Sequence, residues 1–199
     1  MITTDGLFDL QVNGFAGIDF NNAGLTSHAF DRALEAMRAT GVTQCLPTLI
    51  TASEQVLCDR FAALDVAVTA SRHGQSMVPG YHLEGPFLNP APGFRGCHPA
   101  AAMIAPDIAL VDRLQAKLAK PILLITIAPE LSGAEAFIKA ARARGIVVAM
   151  GHTDARLDTV HLAATAGLTL STHLGNGVAH LSHKFDNPIM AQLSEDRIN

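Results

Sequence analysis

Glu84, His152 and His173 are one carboxylate and two imidazoles, each set where an apolar run stops. Gly80-Tyr81-His82-Leu83-Glu84 reads as a buried strand that Gly85-Pro86 cannot continue, so Glu84 falls at its carboxyl end. Residues 146–150 run through Gly151 into His152, and residues 168–172 run into His173. Parallel α/β proteins keep their chemistry at such strand ends. Two neutral imidazoles, one carboxylate and open coordination positions form a donor set for one divalent metal ion, zinc first, with ferrous iron accepting the same ligands. An ion held this way acidifies water and polarises a carbonyl, which suits hydrolysis. The plainer reading of each side chain is a hydrogen-bonded group closing a strand. Three coincident strand ends favour the metal.

Other polar residues fall close to these positions in the chain. His82 lies two residues before Glu84, and a strand period of two points both side chains the same way. His82 could serve as a fourth ligand or back up one, and because three protein ligands leave a coordination position for water, the favoured reading is that it backs up a ligand or touches substrate. Gln11 and Asn13 share a face at the end of the first strand, where amides, poor zinc ligands, would hold a metal-bound water or the substrate. Arg95, His98, His183 and Lys184 are cations near the expected mouth and could meet a phosphate or carboxylate, although a solvated surface charge is the commoner fate of each. His28, His73 and His161 fall on or beside helices and read as surface residues.

These positions require a repeating scaffold. Strands are expected over residues 7–12, 42–50, 78–84, 122–127, 146–150 and 168–172. Between them lie amphipathic helices: one opening at Ser27 with Phe30, Leu34 and Met37 on one face, one capped by Ser53, one opened by Pro106-Asp107 and running to Leu118, one over residues 133–144, and one capped by Thr153. Six strand-then-helix units imply parallel strands joined by right-handed crossovers. Residues alone leave open a doubly wound sheet or a (β/α)8 barrel, and chemistry at several strand ends favours the barrel. Such a barrel takes roughly 250 residues, against 199 here. The one long irregular stretch, residues 87–102, is rich in Pro and Gly and reads as a substrate loop or lid.

Bulk properties narrow the partners. With 49% hydrophobic residues, residues 1–199 are expected to form a single domain. The 14 basic and 18 acidic residues are well mixed, so no basic stripe suggests a nucleic-acid or membrane surface. No apolar run approaches the ~20 residues of a membrane span, and the opening Met1-Ile2-Thr3-Thr4 does not read as a secretory signal. A cytoplasmic location is expected. Cys45, Cys58 and Cys97 are odd in number and widely spaced, which argues against a disulfide framework. Cys45 and Cys58 are expected to be buried.

Six stretches in order carry a resemblance: residues 8–14 (FDLQVNG), 46–51 (LPTLIT), 82–87 (HLEGPF), 128–130 (APE), 151–153 (GHT) and 172–177 (THLGNG). Together they resemble the N-acetylglucosamine-6-phosphate deacetylases of the amidohydrolase superfamily. The resemblance implies a metal-dependent (β/α)8 TIM barrel with about six of its eight βα units present. The implied reaction removes the acetyl group of N-acetylglucosamine 6-phosphate to give acetate and glucosamine 6-phosphate, a step of amino-sugar catabolism. It also implies metal ligation by Glu84, His152 and His173, with Gln11-x-Asn13 resembling the single-metal members. Substrate contacts carry over to Cys97, His98, Asn176, Gly177 and Lys184, and the family resemblance suggests a homodimer. The Asp that shuttles protons in the family is expected beyond Asn199, so the chain reads as truncated at both ends. The rivals are an amidohydrolase for a different amide and a catalytically dead remnant.

Overall fold

A computed structural model describes residues 5–199. The reading of residues 1–4 as no secretory signal lies outside the described residues. In chain order the elements are β1 (Leu7–Val12), β2 (Gly14–Phe15), β3 (Ile18–Asp19), α1 (Ser27–Ala39), β4 (Val42–Ile50), α2 (Glu54–Ala70), α3 (Gly74–Met77) and β5 (Tyr81–Glu84). A short 3-10 turn (Ala100–Ala102) follows, then α4 (Ile108–Gln115), β6 (Ile122–Ile127), α5 (Ala134–Ala143), β7 (Val147–Met150), α6 (Leu157–Ala166), β8 (Leu170–Ser171) and α7 (Pro188–Leu193).

Hydrogen bonding orders one six-stranded sheet as β1-β4-β5-β6-β7-β8, and β2 and β3 form a separate antiparallel ribbon. β1 pairs β4, β6 pairs β7 and β7 pairs β8, all in parallel. Sequence neighbours are sheet neighbours, as helical crossovers demand. The central strands are apolar because a parallel sheet is covered on both faces. β6, for example, buries five of its six residues. β1 stands at an edge of the sheet and behaves otherwise, with Leu7, Phe8 and Leu10 exposed by 61%, 47% and 39%.

The chain divides into two compact units. The first holds the described residues up to Ile50, with Glu54–His82 and Asp112–Ile122. Its core is aromatic at two points: Phe20 meets Phe30 edge-on at 5.0 Å, and Phe61 meets Tyr81 at 5.7 Å. Leu34, Met37, Leu49, Leu57 and Leu64 fill the space between helices and strands. The Tyr81 hydroxyl donates to Asp65, whose carboxylate also accepts the Ala119 and Lys120 amides, so a buried phenol is satisfied.

The second unit holds Thr51–Ser53, Leu83–Val111 and Leu123–Asn199. Phe87 packs on Phe137 at 4.9 Å, and Ile125, Ile127, Ile138, Val148 and Met150 are buried in the same unit. Removing a ring so placed typically costs ~3–5 kcal/mol.

Several expected boundaries shift for identifiable reasons. Thr26, not Ser27, caps α1, its hydroxyl accepting from the Ala29 amide. Thr153 does not cap α6, which begins at Leu157 after Arg156, because its hydroxyl is bound to Glu130. α4 ends at Gln115 rather than Leu118, where the Gln115 side chain turns to the Ile122 amide and the Lys120 carbonyl. Cys45 is buried as expected, whereas Cys58 is half-buried beside Lys117 Nζ at 3.4 Å. His73 is likewise half-buried, its side chain lying between Arg38 and Glu35.

Candidate metal centre

Within the second unit, three strand ends and the long loop converge on Glu84. Burial leaves the Glu84 residue only 2% exposed. Its Oε1 lies 2.9 Å from His173 Nε2 and 3.4 Å from His152 Nε2, and its Oε2 lies 3.9 Å from His98 Nε2. The rings are stacked edge to face, with centroids 4.4 Å apart for His98 and His152 and 4.8 Å for His152 and His173. Glu84, His152 and His173 therefore meet, as their strand-end positions suggested, and His98 joins them. Measured by mutual distance, the tightest trio is Glu84, His98 and His152, whose ligand atoms all lie within 4.8 Å of one another. His173 is more open, with its side chain 25% exposed.

The local backbone explains how these side chains reach one point. His152 and His173 both sit at positive φ, 52° and 33°, a left-handed turn that costs a non-glycine residue energy and redirects the side chain as the strand ends. The His152 ring is walled by two glycines. A Cβ on Gly177 would lie 2.7 Å from its Nδ1, and one on Gly96 would lie 3.1 Å from its Cε1. Gly177, expected as a substrate contact, thus matters first for the close approach of its backbone to the ring.

The outer ring nitrogens decide what the inner ones offer. His152 Nδ1 is 2.7 Å from the Phe94 carbonyl, an acceptor only, so Nδ1 carries the hydrogen. With Nδ1–H committed to that carbonyl, Nε2 is the nitrogen turned toward Glu84. His98 Nδ1 is 2.8 Å from Thr51 Oγ1, whose own hydrogen is donated to the Glu84 carbonyl at 3.3 Å. Burial, the largest influence, pushes the His98 imidazole down to about 4; the Glu84 carboxylate opposes that, and His152 and His173 add to it. For His173 burial is again the largest influence and lowers the value, but the hydrogen bond and charge of Glu84 outweigh it, and the net shift is upward. His173 Nδ1 is buried and without a hydrogen-bond partner.

Two imidazole lone pairs facing a buried carboxylate repel it, and a cation between them converts that repulsion into ligation. The donors present, one oxygen and up to three imidazole nitrogens, fit zinc or ferrous iron. A residue not singled out in the sequence supports the arrangement. Glu130 Oε1 accepts from Asn89 Nδ2 at 2.8 Å and the Asp154 amide at 2.7 Å, and Oε2 accepts from the Thr153 hydroxyl. The Asn89 amide in turn donates to the His152 carbonyl at 3.1 Å. Glu130 thus clamps both sides of His152. Its place in the Ala128-Pro129-Glu130 stretch, at the end of β6, was the available signal.

Cys97, Asn176 and Lys184 are exposed. The Asn176 carboxamide accepts from the Gly177 amide, and Lys184 Nζ lies 5.2 Å from the centre of the Phe185 ring. His183 Nδ1 accepts from the Phe185 and Asp186 amides in a turn. Arg95 is half-buried in the long loop. In the first unit, His82 is fully buried, with Nδ1 3.2 Å from the Leu10 carbonyl and 3.3 Å from the Thr48 hydroxyl. There Asn13 donates to the Thr48 carbonyl, and the Gln11 amide donates to Asp9. Among the described residues no helix is long and apolar enough to cross a membrane.

No protein-family model matches the chain. Curated relatives do. The N-acetylglucosamine-6-phosphate deacetylase of Bos taurus is 34% identical over 99% of this chain and 48% of its own length. The N-acetylgalactosamine-6-phosphate deacetylase of Shewanella sp. (strain ANA-3) is 35% identical over 90% of this chain and 43% of its own. Among solved structures, a variant of the Mycobacterium smegmatis N-acetyl-D-glucosamine-6-phosphate deacetylase, in complex with N-acetyl-D-glucosamine-6-phosphate, superposes with a TM-score of 0.83 at 32% identity, covering 97% of this chain and 48% of that one. The chain spans about half the length of the curated relatives it matches. In sequence and in fold alike, it is similar to about half of an N-acetylglucosamine-6-phosphate deacetylase.

Proposed function

We propose that the chain carries the metal centre and part of the substrate site of an amidohydrolase-type (β/α)8 barrel that deacetylates N-acetylglucosamine 6-phosphate. Glu84, His152 and His173 hold one divalent ion, zinc in the first instance. The observation that carries the reading is Glu84 itself, a buried carboxylate ringed by imidazole nitrogens in a chain similar throughout to deacetylases. When bound, the ion supplies polarisation of the acyl carbonyl and an acidified water. The chain's own residues do the rest. Glu84 supplies the negative charge that keeps the ion in place. The Phe94 carbonyl fixes the His152 ring, and Gly96 and Gly177 leave it room. His98 and Cys97 come from the long loop, and Asn176, Gly177 and Lys184 follow His173; these five are assigned to the amino-sugar phosphate. A cytoplasmic homodimer completes the proposal.

The test is zinc titration of the purified chain, followed by N-acetylglucosamine 6-phosphate with acetate release monitored. One zinc per chain, lost in Glu84→Gln, together with a sugar phosphate that raises the melting temperature of the zinc-loaded chain, is the expected result. Undiminished zinc binding or acetate release by the Glu84→Gln variant would end the proposal. A second reading rests on the Shewanella relative, whose substrate is the galactose epimer. Competition between the two epimers for the zinc-loaded chain separates them.

A further inference from the structure

We infer that Thr51 is a positioning residue that fixes the tautomer of His98, and so keeps the side of Glu84 that faces His98 open to a cation. Thr51 and His98 are 2% and 4% exposed, so water does not substitute for the contact between them. Threonine has one hydroxyl hydrogen. Here it is donated to the Glu84 carbonyl, which leaves Oγ1 as an acceptor for His98 Nδ1–H at 2.8 Å. Nε2 then carries only a lone pair, 3.9 Å from Glu84 Oε2. In the other tautomer Nε2–H would be a donor against Glu84 and would compete with an ion for Oε2.

Gly85 makes this geometry accessible. A Cβ at Gly85 would lie 2.1 Å from Thr51 Oγ1, and its φ of +83° favours glycine. The three rings differ in what sets them: a carbonyl for His152, a hydroxyl for His98 and no partner for His173 Nδ1. The inference rests on the metal reading for its purpose but not for its geometry.

The test is the imidazole ¹⁵N–¹H correlation spectrum of the zinc-stripped chain at neutral pH, with the His98 signals identified by their loss in His98→Gln. The wild-type chain and Thr51→Ser are expected to carry the hydrogen on Nδ1, and Thr51→Val to move it to Nε2. Thr51→Val is also expected to bind zinc about tenfold more weakly, and Thr51→Ser to restore it. Hydrogen on Nε2 in the wild-type chain overturns the inference, as does zinc binding that is indifferent to a tautomer change. Should Thr51→Val fail to fold, the wild-type and Thr51→Ser spectra still decide the tautomer. Failure of the metal reading looks different: the wild-type chain then has the expected tautomer and binds no zinc.

Discussion

Glu84 and Glu130 are two carboxylates of the same unit with opposite surroundings. Glu130 accepts two N–H donors and one O–H donor, so its charge is answered by hydrogens the chain already carries. Glu84 faces three Nε2 atoms, and two of those rings have committed their hydrogen to the Phe94 carbonyl and the Thr51 hydroxyl on the far side. A carboxylate surrounded by donors is a structural clamp. One that receives a hydrogen bond from His173 but also faces two imidazole lone pairs offers itself to a cation, and that difference separates the centre of the site from its support.

The largest expected effect is at Glu84. Glu84→Gln keeps the shape and removes the charge, and zinc affinity by calorimetry should fall at least about a hundredfold, since a lost ligand exceeds the 10–100-fold typical of a supporting residue. The same measurement on Glu130→Gln should show a loss of only about tenfold, together with a fall in metal-free stability. Glu130→Ala, which leaves three donors unanswered, should cost ~2–4 kcal/mol in urea unfolding. Equal zinc loss at both positions would erase the distinction between clamp and centre.

The pH dependence of metal-free stability sharpens the contrast further. His98 is depressed to about 4 in the fold, against an ordinary value near 6.5. Between those values the unfolded chain binds the proton that the folded chain refuses, so stability is full above about 6.5 and falls as pH drops toward 4. His173 is raised and has the opposite sign: its contribution is present at low pH and is lost as pH rises through its folded value. Denaturation between pH 4 and 7 should therefore show an acid-side loss on the order of 2 kcal/mol, and His98→Gln should flatten that slope. The smallest effect belongs to Cys97, exposed next to His98. Cys97→Ser should leave zinc affinity within about twofold, while the thiol alkylates readily in the folded chain. The Cys45 thiol, pushed up to about 12 by burial first and by Asp9 second, should stay unreactive until unfolding.

The repeating architecture was readable because each strand is a short apolar run bounded by a helix start or a glycine, and such runs have few alternatives in a parallel sheet. The six expected sheet strands all form, although the last shrinks to Leu170–Ser171. Glu84, His152 and His173 were legible for the same reason: Glu84 closes its strand, and each histidine follows two residues after its own. His98 was visible as a cation of the long loop but not as a neighbour of Glu84, because a Pro- and Gly-rich loop has no period from which to read direction. Thr51 and Glu130 act through hydrogen bonds to residues 47 and 23 positions away, and no local pattern encodes such partners. The ribbon of β2 and β3 was missed as well, being two residues on each side inside a glycine loop.

The most direct test of a cation-demanding Glu84 is anomalous diffraction from crystals of the zinc-loaded chain. One peak is expected at about 2.0–2.2 Å from a Glu84 oxygen and from the Nε2 atoms of His152 and His173. A zinc site elsewhere, with Glu84 still hydrogen-bonded to His173, would contradict it.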